Sequence, residues 1–180
     1  KTDRNIKPNQ YIREEYIPVL DEVTKNYAKG FRILATAMTI QEGFKPNSRS
    51  YRTNNPGNIG NVDSGASQTL ATLEEGVEIQ KTYILELAEG RRRAYPLNEK
   101  KKINPYFSPE IDRNRANYGM SPYLPGYEFI YTGQLDQFVK IYATGARGGN
   151  GYLSLIISYF NKNGITINAQ SKIQDIIQLT

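Results

Sequence analysis

Residues 36–61 read TAMTIQEGFKPNSRSYRTNNPGNIGN. Small and apolar residues run at helical spacing as far as Gln41, a lone carboxylate stands at Glu42, and Gly43 opens a run of Ser, Arg, Tyr, Asn, Pro and Gly that no helix tolerates. The spacing predicts a helix from Phe31 to Glu42, with Met38 and Ala35 one and two turns behind the carboxylate and Leu34 and Ala37 beside them. Glu42 therefore projects from, or beside, the stripe that faces the core. A carboxyl group in that position is partly desolvated, which raises its pKa and keeps a proton on it near neutrality. Glycoside cleavage needs such an acid, because the leaving sugar oxygen must be protonated while positive charge develops on the ring. The plainer reading is a solvent-facing carboxylate at a helix end, where the dipole does not favour it. These residues alone admit both.

The composition narrows the chemistry. With 180 residues, a hydrophobic fraction of 38% and 23% charged residues, the chain can bury one domain-sized core and is not disordered by composition. It has no Cys and no His, which excludes disulfides, thiol nucleophiles, Ser-His-Asp triads, imidazole bases and the usual zinc sites. Catalysis would have to use carboxylates, Tyr, Lys, Arg, hydroxyls or backbone groups, and no metal or other cofactor is expected. The net charge of +5 favours an anionic partner without choosing among nucleic acid, membrane surface and cell-wall polymer. No apolar run approaches the roughly 18 residues of a membrane span, so no stable membrane insertion is expected, and KTDRNIKPNQ is not a signal peptide. Fourteen Tyr against no Trp suits sugar or base stacking, and equally suits semi-buried filling.

Outward from the opening stretch, the pattern predicts one mainly α (α+β) domain over residues 1–180, with at most a small β-sheet near residues 50–70. The first ten residues read as an arm. Ile17-Pro18 opens a helix through VLDEVTKNYA, with Gly30 as its stop. Short extended pieces are expected around Tyr51 and from Ser67 to Leu70. Thr72-Leu-Glu-Glu75 fits a capping box, and Val77, Gln80, Ile84, Leu87 and Ala88 fall on one face of the helix it starts, with Gly90 as the stop. Residues 91–133 are irregular and read as an insertion. Helical spacing returns at Leu135, Phe138, Val139 and Tyr142, again at Leu153, Ile156, Ile157 and Phe160 before Gly164, and last at Ile173, Ile176 and Ile177.

The loop after Glu42 offers a dense set of donors and acceptors, including Ser48, Arg49, Ser50, Tyr51, Arg52, Thr53, Asn54, Asn55 and Asn58, while Pro56 and Gly57 force a tight turn. Amides held by a turn can bind sugar hydroxyls and N-acetyl groups. Turn chemistry alone also accounts for each of these residues.

The segments Ala37-x-x-x-Gln41-Glu42-Gly43, SRSYRTNNPGNIGN and LATLEEGVEIQKTY together resemble a phage and bacterial family of peptidoglycan-degrading proteins that carries an NNPGN motif. That family is similar to lytic transglycosylases and goose-type lysozymes. The resemblance runs from about Leu34 to the C-terminus, is interrupted at residues 91–133, and is most specific at RTNNPGNIGN. It implies a lysozyme-like helical domain with Glu42, at the end of a core helix, as the general acid. It further implies a sugar groove walled by Ser50, Tyr51, Arg52, Asn54, Asn55 and Asn58. Ile141-Tyr142-Ala143-Thr144-Gly145, followed by Gly149-Asn150-Gly151-Tyr152-Leu153, is similar to the AYNAG motif and following helix of lytic transglycosylases, so Tyr142 would steady Glu42 or the substrate. Ala143 replaces the Asn of that motif.

A hydrolase of this kind uses a second carboxylate, whereas a transglycosylase lets the substrate's own 6-hydroxyl attack. Asp63 is the only acidic residue between Glu42 and Glu74 and is the candidate second carboxylate, although Asp-Ser-Gly is also ordinary turn sequence. The expected activity is muramidase or lytic transglycosylase cleavage of peptidoglycan glycan strands, outside the cell, in a periplasm or on a phage particle, beside other virion or cell-envelope proteins. The alternative is a non-catalytic glycan-binding or virion structural protein that keeps the groove. Nucleic acid is not expected as a partner, because the basic runs Arg91–Arg93 and Lys100–Lys102 read as a solvated face.

Overall fold

A computed structural model of the chain describes residues 12–59, 69–88, 133–142 and 148–180. The regular elements among them are helical: α1 (Tyr16–Val23), α2 (Lys29–Gln41), α3 (Arg49–Arg52), α4 (Leu73–Ala88), α5 (Leu135–Tyr142), α6 (Gly148–Lys162) and α7 (Ile173–Ile176). The mainly helical class expected from the periodicity is therefore observed. The described residues contain no strand, and a single antiparallel bridge joins Gln134 to Lys172.

α2 is the centre of the arrangement and packs against α1, α4, α6 and α7. Nine of its 13 residues are buried, so it has almost no polar face, which is the mark of a helix enclosed by others. Phe31, Leu34 and Met38 are fully buried, and each such side chain contributes about 1.5–3 kcal/mol. Its small residues let neighbours come close. At Gly30 an added Cβ would lie 2.0 Å from the Ile176 carbonyl oxygen, and the Gly30 N–H donates to Leu179 O at 2.7 Å.

That contact corrects one expectation. Gly30 does not stop the first helix but sits in the first turn of α2, because α1 has already ended at Val23. The hydroxyl of buried Thr24 takes the Leu20 carbonyl at 2.6 Å, turns follow, and Ala28 enters α2 with extended backbone. A second correction concerns Tyr51, expected in an extended piece. It lies in the helical turn α3, started by Ser48, whose side chain accepts the Tyr51 N–H at 3.2 Å. Residues 69–70 are likewise not strand, and the rest of the expected sheet region, 60–68, lies outside the described residues.

The capping box at Thr72 is present. Thr72 Oγ1 accepts from Glu75 N, and the Glu75 carboxylate reaches back to Ala71 N, each at 3.1 Å. Gly164 ends α6 as expected, at φ +78°, with Gly164 N donating to Asn161 O and Ile165 N to Phe160 O in the Schellman pattern. The buried face of α6 differs in rotation from the expected one. Tyr152, Ile156, Tyr159 and Phe160 are buried, while Leu153 and Ile157 are only partly so. Gly90, the arm and residues 91–132 of the expected insertion lie outside the described residues.

A buried polar chain ties three helices together. Tyr16 Oη donates to Gln80 Oε1 at 2.7 Å, and Gln80 Nε2 donates to Thr39 Oγ1 at 2.7 Å and to Ala35 O at 3.4 Å. It joins α1 and α4 to the last turns of α2, directly behind Glu42.

Candidate active site

Glu42 is the C-cap residue of α2, with φ −72° and ψ −7°. Gly43 takes φ +69°, a conformation that costs an L-residue about 1–2 kcal/mol. Its N–H donates to Ile40 O at 3.0 Å, and Phe44 N donates to Thr39 O at 3.4 Å, again the Schellman pattern. Phe44 then plunges into the core, its ring 6.0 Å from those of Tyr16 and Tyr51. The reason a buried helix ends on Gln-Glu-Gly-Phe is thus local. Gly reverses the chain, Phe anchors it, and the intervening carboxylate is left half-buried between the helix end and the next loop.

Three elements meet that carboxylate. Tyr152 of α6 donates its hydroxyl to Glu42 Oε1 at 3.1 Å, the Asn58 side chain hydrogen-bonds it from the turn, and the Arg49 guanidinium of α3 acts on it through charge. Desolvation outweighs all three and raises the Glu42 pKa from 4.5 to about 7. The C-terminal end of the α2 dipole opposes the charge in the same sense. Burial thus lets Glu42 keep its proton far closer to neutrality than an ordinary glutamate. Tyr152 is buried, and its own pKa is driven well above 10 by burial and then by the neighbouring Glu42, so it remains a neutral donor. Such a carboxyl can give or take a proton at neutral pH.

The Asn-rich turn is built largely by its own amides. Asn47, Asn54 and Asn58 adopt left-handed backbone, which Asn tolerates better than most residues. Asn55 is fully buried and closes the turn with both ends of its amide, accepting from Ile59 N at 3.0 Å and donating to Ile59 O at 2.7 Å. Asn54 donates to Leu70 O at 3.0 Å and accepts from Arg13 Nη1 at 2.6 Å. Ser50 is buried with its hydroxyl 3.2 Å from that of Ser48, Tyr51 carries the Arg13 guanidinium 5.0 Å above its ring, and exposed Arg52 donates to Asn47 O. Of the expected groove residues, Asn58 hydrogen-bonds Glu42 with its side chain. α4 lies directly on the turn, because an added Cβ at Gly76 would stand 1.8 Å from Asn54 O.

Tyr142 lies next to the tyrosine that holds the acid. Its hydroxyl donates to Gly57 O at 2.5 Å, and its ring packs on that of Tyr152 at 6.0 Å. The tyrosine on the acid is Tyr152, which lies in the stretch that follows the motif and to which the resemblance gives no role. Its signal was present, since Tyr152, Ile156, Tyr159 and Asn163 share one helical face. Arg49 stood among the loop donors without a role. Asp63 and both basic runs lie outside the described residues. Among the described residues no group of three or more acidic side chains forms a metal site, and no helix is long and apolar enough to cross a membrane.

Comparison with family models, with curated proteins and with solved structures finds no match to this chain.

Proposed function

We propose that the protein cleaves peptidoglycan glycan strands at the β-1,4 bond between N-acetylmuramic acid and N-acetylglucosamine, on a lysozyme-like helical scaffold, with Glu42 as the general acid. The observation that carries this reading is the placement of the Glu42 carboxyl at the end of the central helix, held by the Tyr152 hydroxyl at 3.1 Å in a setting whose desolvation raises its pKa to about 7. The resemblance of RTNNPGNIGN and its flanking segments supports the choice of substrate. In the first step the protonated carboxyl gives its proton to the glycosidic oxygen as the bond to the sugar carbon breaks, and positive charge spreads over the ring. The carboxylate so formed takes a proton from the attacking hydroxyl, supplied either by water or by the muramyl 6-position. Tyr152 and Asn58 hold the carboxyl and favour its charged form, which helps the proton leave. Asp63 is the candidate second carboxylate for the water route. Such an enzyme would work on a phage particle or in the cell envelope.

Turbidity loss on purified peptidoglycan, read for the parent and for Glu42→Gln, tests the proposal. Removal of the acid is expected to lower the rate about 10²–10⁴-fold. Equal clearing by both proteins excludes Glu42 as the acid. Sedimentation of the parent with peptidoglycan, without clearing, indicates instead a glycan-binding or virion structural protein. Mass analysis of the products then separates a transglycosylase, which leaves an anhydromuramyl end, from a hydrolase, which leaves a reducing end.

A further inference from the structure

Arg13 stands just ahead of α1, upstream of the segments that carry the family resemblance, yet it is bonded into both halves of the candidate site. Its backbone N–H donates to Phe44 O at 2.6 Å, two residues past Glu42. Its guanidinium donates through Nη1 to Asn54 Oδ1 at 2.6 Å and lies 5.0 Å from the centre of the Tyr51 ring. Nε also reaches Glu15 at 3.3 Å, but that carboxylate is exposed, and such pairs contribute little. The Asn54 bond is stronger in kind, because its donor is charged and the Arg13 side chain is only 22% exposed. Ile12, buried next to it, anchors the segment in the core.

The Asn54 amide is engaged at both ends, with Oδ1 accepting from Arg13 and Nδ2 donating to Leu70 O at 3.0 Å. Leu70 N donates in turn to Thr53 O at 2.9 Å. Asn54 itself holds left-handed backbone at φ +54°, so a fixed side chain also fixes the direction in which the turn leaves it. Four residues on, Asn58 hydrogen-bonds Glu42. Tyr51, expected to wall the groove, carries the guanidinium over its ring and packs on Phe44 at 6.0 Å. One residue thus ties the chain leaving α2 to the turn that faces it.

We propose that Arg13 is a positioning residue that locks the Asn-rich turn against the chain leaving α2, which makes the segment ahead of α1 a working part of the site. The functional meaning of this role rests on the reading of Glu42 as an acid catalyst, but the lock itself does not. Arg13→Met keeps the bulk of the stem and removes the guanidinium. Arg13→Lys keeps charge and reach, but a compact ammonium lacks the planar fork that stacks on a ring and donates at once.

The readout is amide hydrogen exchange of the folded protein at Asn55, Asn58 and Leu70, whose N–H groups donate to the Ser50, Asn55 and Thr53 carbonyls of the turn. In Arg13→Met these three amides are expected to exchange about tenfold faster or more, the factor for one charge-assisted hydrogen bond. Clearing of peptidoglycan is expected to fall about tenfold or more through misplacement of the turn. In the Asn54→Gly background, where glycine accepts the left-handed backbone, Arg13→Met is expected to add little to the exchange at the turn. Faster exchange confined to the slowest amides of α2 and α4, with the turn unmoved, assigns Arg13 to overall stability and overturns the proposal, as do additive effects in the double variant. Clearing at the parent rate by a variant whose turn has loosened overturns it too. Should the Met variant fail to fold, Arg13→Lys is expected to show the same rise at the turn, and an unmoved turn counts against the lock. A rise at the turn in a protein whose parent clears no peptidoglycan keeps the lock and removes the glycosidase reading.

Discussion

The Tyr152 hydroxyl donates to Glu42 Oε1 across 3.1 Å, from a ring buried in α6 to a carboxyl at the end of α2. The two residues are 110 positions apart in the chain, so the bond fixes one packed helix against another at the point where chemistry is proposed. It favours the carboxylate and holds the Glu42 pKa below the value that burial alone would set. Tyr152→Phe retains the ring and removes the donor. Its expected effect is a rise in the Glu42 pKa and a move of the alkaline limb of the pH–rate profile to higher pH, by up to about one unit. An unmoved limb alongside a lowered maximal rate would assign the hydroxyl to substrate contact instead.

Glu42 also makes stability depend on pH in an unusual direction. Its pKa lies near 7 in the folded protein against 4.5 for an ordinary glutamate, so between these values the folded chain binds more protons than the unfolded one. Stability falls as pH rises through that window, and the charged form of Glu42 costs on the order of 3 kcal/mol above it. Glu42→Gln has no such slope. Urea unfolding at pH 4.5, 6 and 8 is expected to show the Gln variant gaining on the parent step by step toward pH 8. A constant difference across the three pH values contradicts the burial of the acid.

Gly76 tests the seat of the turn on α4. Alanine is the better helix former by about 1 kcal/mol, but the added methyl would stand 1.8 Å from the backbone oxygen of Asn54, and neither backbone can yield without displacing the turn. Gly76→Ala is expected to destabilise by about 1–3 kcal/mol net and to reduce activity through displacement of Asn58. Gly151 of α6 is the control. It is exposed and has open space around it, so Gly151→Ala is expected to stabilise by up to about 1 kcal/mol. Thermal melts of the two variants should move in opposite directions.

Where local chemistry sets the structure, the sequence was readable. Thr72 and Glu75 cap their helix, Gly164 ends α6, and the apolar stripe behind Glu42 is buried. The misreadings arose where a distant contact overrides a local rule. Gly30 looks like a helix stop because glycine usually is one, yet its purpose is an approach to the Ile176 carbonyl near the other end of the chain. Tyr51 has strand propensity, but Ser48 offers a cap to its N–H and the short helix wins. In α6 the apolar residues crowd around the helix, so periodicity did not choose between the face of Leu153 and Ile157 and the face of Tyr152 and Tyr159. For the Asn-rich turn the residue types were suggestive, but which amides build the turn and which reach Glu42 depends on backbone dihedrals that no residue type reveals.

Placing the carboxyl on the C-cap of α2 turns helix length into a ruler. Each residue of an α-helix advances about 1.5 Å and turns about 100°. One residue inserted or lost between Gly30, pinned at one end by α7, and Gly43, pinned at the other by Phe44, would swing the carboxyl to a different face of the helix, away from Tyr152 and Asn58. Substitutions within α2 can be absorbed by repacking, whereas changes in its residue count cannot. The distance from Gly30 to Glu42 is therefore a stricter specification of this site than the identity of any residue between them.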